Sequence, residues 1–444
     1  MRRYPQAGCA VGDVLLPRPG VDPTRWAVVA CDQFTSQPEY WEEANRFVGD
    51  APSTLRMIYP EVYLSEPDPG VRIRRIRDHM NRYLADGVLL AHDGILYVER
   101  QIGAQVRKGI VLCLDLEQYD YSKGAGTLIR ATEGTIVERI PPRVRIRDGA
   151  PMESPHIMVL IDDPADTVIG AIAAEKGDLP QVYDFDLMLE SGRIAGWCVS
   201  DRALERRAMA ALARLGDSAA FHAKYGLQGG EYPVLLYAMG DGNHSLATAK
   251  AIWENTKLQA ADPAAVMDSP KRYALVELVN IYDPSLEFEP IHRVLFHLRD
   301  DVVAALHAHF GADITAVPVE TVGEMESRVR AAPADVQRFG VIQASGILVV
   351  EIQNPPTALA VGTLQGFLDP FVKASGAREI DYVHGTDVVH NLGAKSGNVG
   401  FYLPAMAKSD LFRSVILDGA LPRKTFSMGE AKDKRFYLEC RRLG

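Results

Sequence analysis

The chain has 444 residues, with 58 acidic side chains against 48 Lys and Arg and a formal net charge of −10. That balance opposes a general nucleic-acid or acidic-membrane surface, which needs a basic face, while leaving room for a local basic pocket. At 47% hydrophobic and 24% charged, the composition is that of an ordinary soluble globular protein, long enough for two or three domains or one elaborated domain.

Cys9, Cys31, Cys113, Cys198 and Cys440 are odd in number, far apart and without CxxC spacing. They indicate neither a disulfide framework nor a zinc site and suit reduced, cytoplasmic thiols. Ala7-Gly8-Cys9 faintly resembles a lipoprotein cleavage site, but the preceding residues include Arg2, Arg3, Pro5 and Gln6 and form no apolar export segment. No run approaches the ~18 to 20 apolar residues that span a bilayer, so a soluble, cytoplasmic protein is expected.

In chain order, Trp26–Ala30 reads as a buried strand, and Ser36-x-x-Glu39 as a capping box opening a helix through about Phe47. Ile73, Ile76, Met80, Tyr83 and Leu84 recur at helical spacing up to Gly87. Ile95–Glu99 and Gly109–Asp115 predict a hairpin. Residues 130 to 143 are dense in charge. Glu133 and Glu138 among Arg130, Arg139 and Arg143 fit either a solvated loop or an anion site, since arginine forks match phosphate and carboxylate oxygens.

A strand resumes at Ser154–Ile161, and Leu204, Ala208, Ala211, Leu212 and Leu215 mark a helix over 201–215. Tyr232–Met239 predicts a strand, followed by a helix burying Leu246, Ala249, Ile252 and Trp253, and then a strand over Tyr273–Asn280. His292 and Arg293 fit a second ligand site or a polar strand end equally well. Residues 300 to about 365 read as two helices and two strands. His307 and His309, two apart on a helix, point to different sides and do not suit a metal pair. Arg423, Lys424 and Thr425 precede the last strand-like run, Arg435–Glu439, and suit either a phosphate or a solvated basic turn.

The most informative stretch is Gly240-Asp-Gly-Asn-His-Ser245, where an apolar run stops at a turn that opens into a helix. A helix start leaves backbone N–H groups without partners and carries about half a positive charge, so it receives anions readily. Gly240 and Gly242 permit close approach, and Asp241, Asn243, His244 and Ser245 bring a carboxylate, an amide, an imidazole and a hydroxyl. The competing reading is an ordinary strand-to-helix connection, enriched in the same residue types. No GxxxxGK[ST] loop occurs, and no GxGxxG follows a strand.

Taken in order, Arg130-x-x-Glu133-x-Thr135 with Glu138-Arg139, Ser154-Pro155, Gly240-Asp-Gly-Asn-His244, Leu278-Val-Asn280 with Pro290-Ile-His-Arg293, and Leu421-Pro-Arg-Lys-Thr425 resemble the family known as domain of unknown function 1015. That family is distantly similar to the free serine kinase of the partition-protein-B/sulfiredoxin superfamily. The likeness rests on Glu133, on Asp241-Gly242-Asn243-His244-Ser245 and on Pro422-Arg423-Lys424-Thr425. It implies an α/β protein with a mixed sheet and a partition-protein-B/sulfiredoxin-like core. The implied division is an N-terminal α/β region at 1–125, core at 126–299, an α+β insertion at 300–365 and the remaining core at 366–444.

The resemblance further implies phosphoryl transfer from ATP or ADP, with Mg2+, to a small hydroxyl-bearing amino acid such as L-serine. The alternatives are a phosphohydrolase or a nucleotide-sensing module. Glu133, Asp241 and His244 would be catalytic. Arg130, Thr135, Arg139, Gly242, Asn243, Ser245, His292, Arg293, Lys424 and Thr425 would bind phosphate or substrate. Nucleic-acid and membrane partners are not expected. Relatives typically carry His-His-Arg or His-His-Lys after the Asp-Gly, so Asn243-His244-Ser245 removes a cation facing phosphate, which Arg423 or Arg293 would have to replace.

Overall fold

The computed structural model describes residues 1–64, 66–122, 124–134, 140–228, 232–333 and 335–444. It has a mixed α/β architecture and divides into two compact units: residues 1–286 with 429–444, and residues 287–428.

The first unit is built on a mixed sheet of eleven strands among the described residues. These are β1 (Arg2–Tyr4), β2 (Cys9–Val11), β3 (Ile95–Ile102), β4 (Gln105–Asp115), β5 (Tyr119–Asp120), β6 (Ile129–Arg130), β7 (Met158–Ile161), β8 (Gln181–Asp186), β9 (Arg193–Val199), β10 (Tyr237–Asp241) and β11 (Tyr273–Asn280). Their spatial order is β8-β9-β3-β4-β11-β7-β10-β6-β5, with β2 attached to β4 and β1 to β2. The sheet is parallel at β7/β11, β10/β6 and β6/β5, and antiparallel at its other pairings.

Period-two alternation sends successive side chains to opposite faces, so the central strands bury both. On β11, Tyr273 and Leu275 join one apolar cluster while Ala274, Val276 and Leu278 join the other. The first cluster is covered by helix α1 (Pro69–Ala85) through Ile76, Met80 and Tyr83. The second is covered by α3 (Arg202–Leu215) and α4 (Asn243–Gln259), the latter through Leu246, Ala249 and Trp253. Helix α2 (Ile140–Arg147) packs along α4.

Several expectations change in detail. The apolar run at 26–30 forms a helical turn, Pro23–Trp26, capped by Asp22, and only Val28–Val29 is a strand. The helix expected from Ser36 is Pro38–Val48; Gln37 precedes it without a side-chain cap, because Pro38 presets the first helical φ and has no N–H to satisfy. The strand expected over 232–239 starts only at Tyr237, since Pro233 cannot donate to a ladder.

The second unit carries a sheet of its own, ordered Ile314–Val319, Gly346–Gln353, Val336–Gln343, Val399–Tyr402, Glu289–Leu298, Ala377–His384, with Phe426–Ser427 also paired to Glu289–Leu298. Helices Val302–Phe310 and Ala360–Lys373 bury Leu306, Leu364, Phe367 and Leu368 against it. Among the described residues of 300–365 the two expected helices are Val302–Phe310 and Val322–Arg330, a third begins at Ala360, and there are three strands rather than two, because Val336–Gln343 and Gly346–Gln353 turn back on each other as a hairpin.

The domain boundaries also differ from expectation. The break expected at 125/126 lies within the first sheet, whose strands come from both sides of it. Residues 287–299 and 366–428 belong with 300–365, because Glu289–Leu298 pairs with Ala377–His384 and Val399–Tyr402.

Candidate functional site

In the first unit, β10 runs through buried Tyr237, Ala238 and Met239 and ends at Asp241. Gly242 then turns with φ of 78° and starts α4. A side chain there would be strained by the positive φ and would bring its Cβ within 3.1 Å of the Ile157 Cα. Leu246 N donates to Gly242 O at 3.0 Å, and among the described residues no side-chain hydrogen bond caps the helix at Gly242. The first-turn amides therefore retain the anion-receiving character of an open helix start.

Polar groups gather around this turn. Gly242 N donates to Asp241 Oδ1 at 2.8 Å, and Lys434 Nζ lies 3.6 Å from Asp241 Oδ2. Asn243 Oδ1 is buried and has no partner among the described residues; a flip of the amide would present its NH2 instead. Thr248 donates its hydroxyl to His244 O at 2.6 Å.

Glu133 is half-buried. Strand β6 pairs with β10 through Ile129↔Tyr237 and Ala238↔Arg130, and Thr132 donates to Met239 O at 2.8 Å. Glu133 thus follows directly on the segment that runs beside β10.

Ser245 and Thr248 also line a cleft of about 130 Å³ whose opposite walls include Met57, Ile58, Tyr59, Met80 and Ile146. Arg143 and Arg147 border it, paired with Glu61 and Glu153. Also on its lining, buried His156 places Nε2 at 3.6 Å from Asp32 Oδ2 and Nδ1 at 2.7 Å from the Tyr437 hydroxyl. Burial works against a charged imidazole, but Asp32, joined by Asp241 and Glu61, outweighs it and raises the His156 pKa above its usual 6.5. Burial likewise opposes the Asp32 carboxylate, yet His156 and Gln33 hold it well below its usual range.

Arg130 has a different environment. It is buried, donates from Nε to Thr127 O at 2.9 Å and from Nη2 to Pro233 O at 2.6 Å and Val234 O at 3.2 Å, and burial pulls its pKa to about 10. Its guanidinium braces the segment leading into β10. Thr135, Glu138 and Arg139 lie outside the described residues.

The remaining expected residues form a cluster in the second unit. His292 is buried, accepts from Leu403 N at Nδ1 (3.1 Å) and stacks on Tyr402. Burial, with Arg293 and His384, lowers its pKa to about 4, so its ring is neutral at physiological pH. Arg293, also buried, donates to Gln365 Oε1, Ile291 O and Arg423 O. That last bond ties it to the loop where Lys424 has φ of 56° and Thr425 donates to Pro422 O at 2.7 Å. Arg423 points elsewhere, to the Tyr382 hydroxyl and Asp369.

The model of the family described as "Protein of unknown function (DUF1015)" matches residues 15–371. The chain belongs to this family. The match spans both Glu133 and the helix start at Gly242, whereas Lys424, Thr425, Lys434 and Tyr437 lie beyond it. No curated protein matches the sequence. Among solved structures, a variant of a free serine kinase in complex with ADP is similar at 9% identity and a TM-score of 0.38, covering 75% of this chain and 92% of that one. The free serine kinase in complex with AMP gives 8% and 0.37, with 74% and 90% covered. A conserved hypothetical protein from Pyrococcus furiosus gives 11% and 0.35, with 75% and 95% covered.

Sequence reasoning missed Asp32, His156, Lys434 and Tyr437. Ser154-Pro-His156 was visible as a polar tripeptide entering a strand. The other three come from distant segments with no local signal. Among the described residues no group of three or more His, Cys, Asp and Glu side chains could hold a metal. A magnesium ion here would therefore rest on Asp241 and phosphate oxygens, an ordinary arrangement for a cation that keeps most of its waters and binds one or two carboxylates.

Proposed function

We propose that this protein transfers a phosphoryl group from a nucleotide to a small hydroxyl-bearing acceptor at the start of α4. The observation that carries the reading is the helix start behind left-handed Gly242, flanked by Lys434 and Asp241 and with Ser245 and Thr248 of its first two turns lining a cleft. Phosphoryl transfer needs positioned reactants, neutralised phosphate oxygens and a base at the attacking hydroxyl. The amides of 243–245 and Lys434 neutralise phosphate oxygens, and the Asn243 amide adds a hydrogen bond. Glu133 receives the hydroxyl proton as the acceptor oxygen bonds to phosphorus and the bond to the departing nucleotide breaks. His156, held against Asp32, lines the same cleft. A bound magnesium ion supplies further charge neutralisation.

The test incubates the full chain with ATP or ADP, Mg2+ and L-serine or larger hydroxy amino acids, followed by phosphorus NMR. A new phosphate monoester that disappears in Gly242→Val supports the reading. Release of inorganic phosphate alone assigns the site to hydrolysis, and nucleotide binding without turnover assigns it to sensing.

A further inference from the structure

The cleft beside α4 is not shaped for serine. Most of its lining is apolar or aromatic, including Met57, Ile58, Tyr59, Leu64, Met80 and Ile146. The two arginines at its border each face a carboxylate, Arg143 with Glu61 and Arg147 with Glu153, the latter carboxylate also held by Arg441. Such pairing leaves little charge to attract an ionic side chain. The volume, about 130 Å³, approaches the ~150 Å³ of an apolar cavity that admits a benzene ring. A serine side chain would leave most of that space to water against apolar walls, which is unfavourable. Ser245 and Thr248 bring hydroxyls to the lining from the first two turns of α4, and Ser154, His156 and Tyr437 add further polar groups.

Resting on the phosphotransfer reading, we infer that the acceptor carries a ring-sized apolar group held in this cleft, with its hydroxyl directed toward Ser245. Apolar contact then selects the acceptor, and the helix start selects the phosphate.

Calorimetry on the full chain compares L-serine, threo-3-phenylserine and adenosine. Phenylserine should bind at least about ten-fold more tightly than serine, a modest share of what burying a ring contributes. Ala150→Phe, which fills the cleft from its lining, should abolish that difference. If that variant does not fold, Leu64→Trp, at a wall position 39% exposed, decides instead. Equal binding of serine and phenylserine, a preference that survives the filled cleft, or adenosine binding lost on filling would each overturn the inference. Failure of the phosphotransfer reading is separable: phenylserine would still bind with its cleft-dependent preference, yet no nucleotide would phosphorylate it.

Discussion

Lys434 brings a cation within 3.6 Å of Asp241, at a helix start where Ser245 supplies none. Of the two replacements considered from sequence, Arg293 is buried and donates to Gln365 and two carbonyls, and Arg423 donates to the Tyr382 hydroxyl and Asp369. A charge-assisted hydrogen bond contributes about 1.5–3 kcal/mol, so Lys434→Met should weaken nucleotide binding by roughly ten-fold or more, with a loss that shrinks as salt rises. Titration calorimetry at two ionic strengths checks this. Glu133→Gln should leave ligand affinity near wild type and lower turnover by about 10² to 10⁴, the scale of a general base; steady-state kinetics would exclude that role if turnover is unchanged. The His156 pKa is raised in the fold, so its stabilising contribution is complete below 6.5 and fades as pH rises through the raised value. Asp32, held low, contributes above its usual 3.8 and loses that contribution only in stronger acid. Asp32→Asn should therefore shift the His156 titration toward acid by NMR, and its stability deficit should be largest in weak acid and smaller above neutral pH. The carboxylate, amide and hydroxyl of 241–245 were legible because they are adjacent. Asp32, His156 and Tyr437 meet only through folding, and no spacing rule reports such a meeting.

At the level of elements, α4 was readable from the period of Leu246, Ala249, Ile252 and Trp253, and β11 from an uninterrupted apolar run, because both patterns are set by burial. The short strands were not: β10 is trimmed by Pro233, and Val28–Val29 owes its existence to pairing with Phe436–Tyr437 at the far end of the sequence. The turn between β10 and α4 is the sensitive point. Gly242→Ala requires a non-glycine residue at positive φ, costing about 1–3 kcal/mol, and presses its Cβ toward Ile157 backbone. Chemical denaturation should show that loss. The larger Gly242→Val should abolish phosphate binding in whatever fraction folds; normal nucleotide affinity in a folded Gly242→Val protein would place the phosphate elsewhere.

Across the whole molecule, residues 287–428 bury an apolar cluster drawn only from their own elements, including Leu295, Phe339, Val350, Leu364 and Phe401. Expressed alone, this segment should fold and melt cooperatively by circular dichroism, as expected of a unit with its own core. The sequence did not disclose its limits, because long-range strand pairing rather than a composition shift defines them. The first unit is instead closed by residues 429–444: Phe436–Tyr437 pairs with Val28–Val29, Cys440 bridges to Leu15, and Arg441–Arg442 pairs with Met152–Glu153. Arg435 and Arg441 meet buried Glu277 and Glu153. On a ribosome, then, the inserted unit emerges complete while the first unit still waits for the segment that closes it, and Lys434 and Tyr437 arrive with that segment. The candidate site is completed only after residues 287–428 have been made, so a nascent chain already long enough to present Gly242 and its helix is not yet competent.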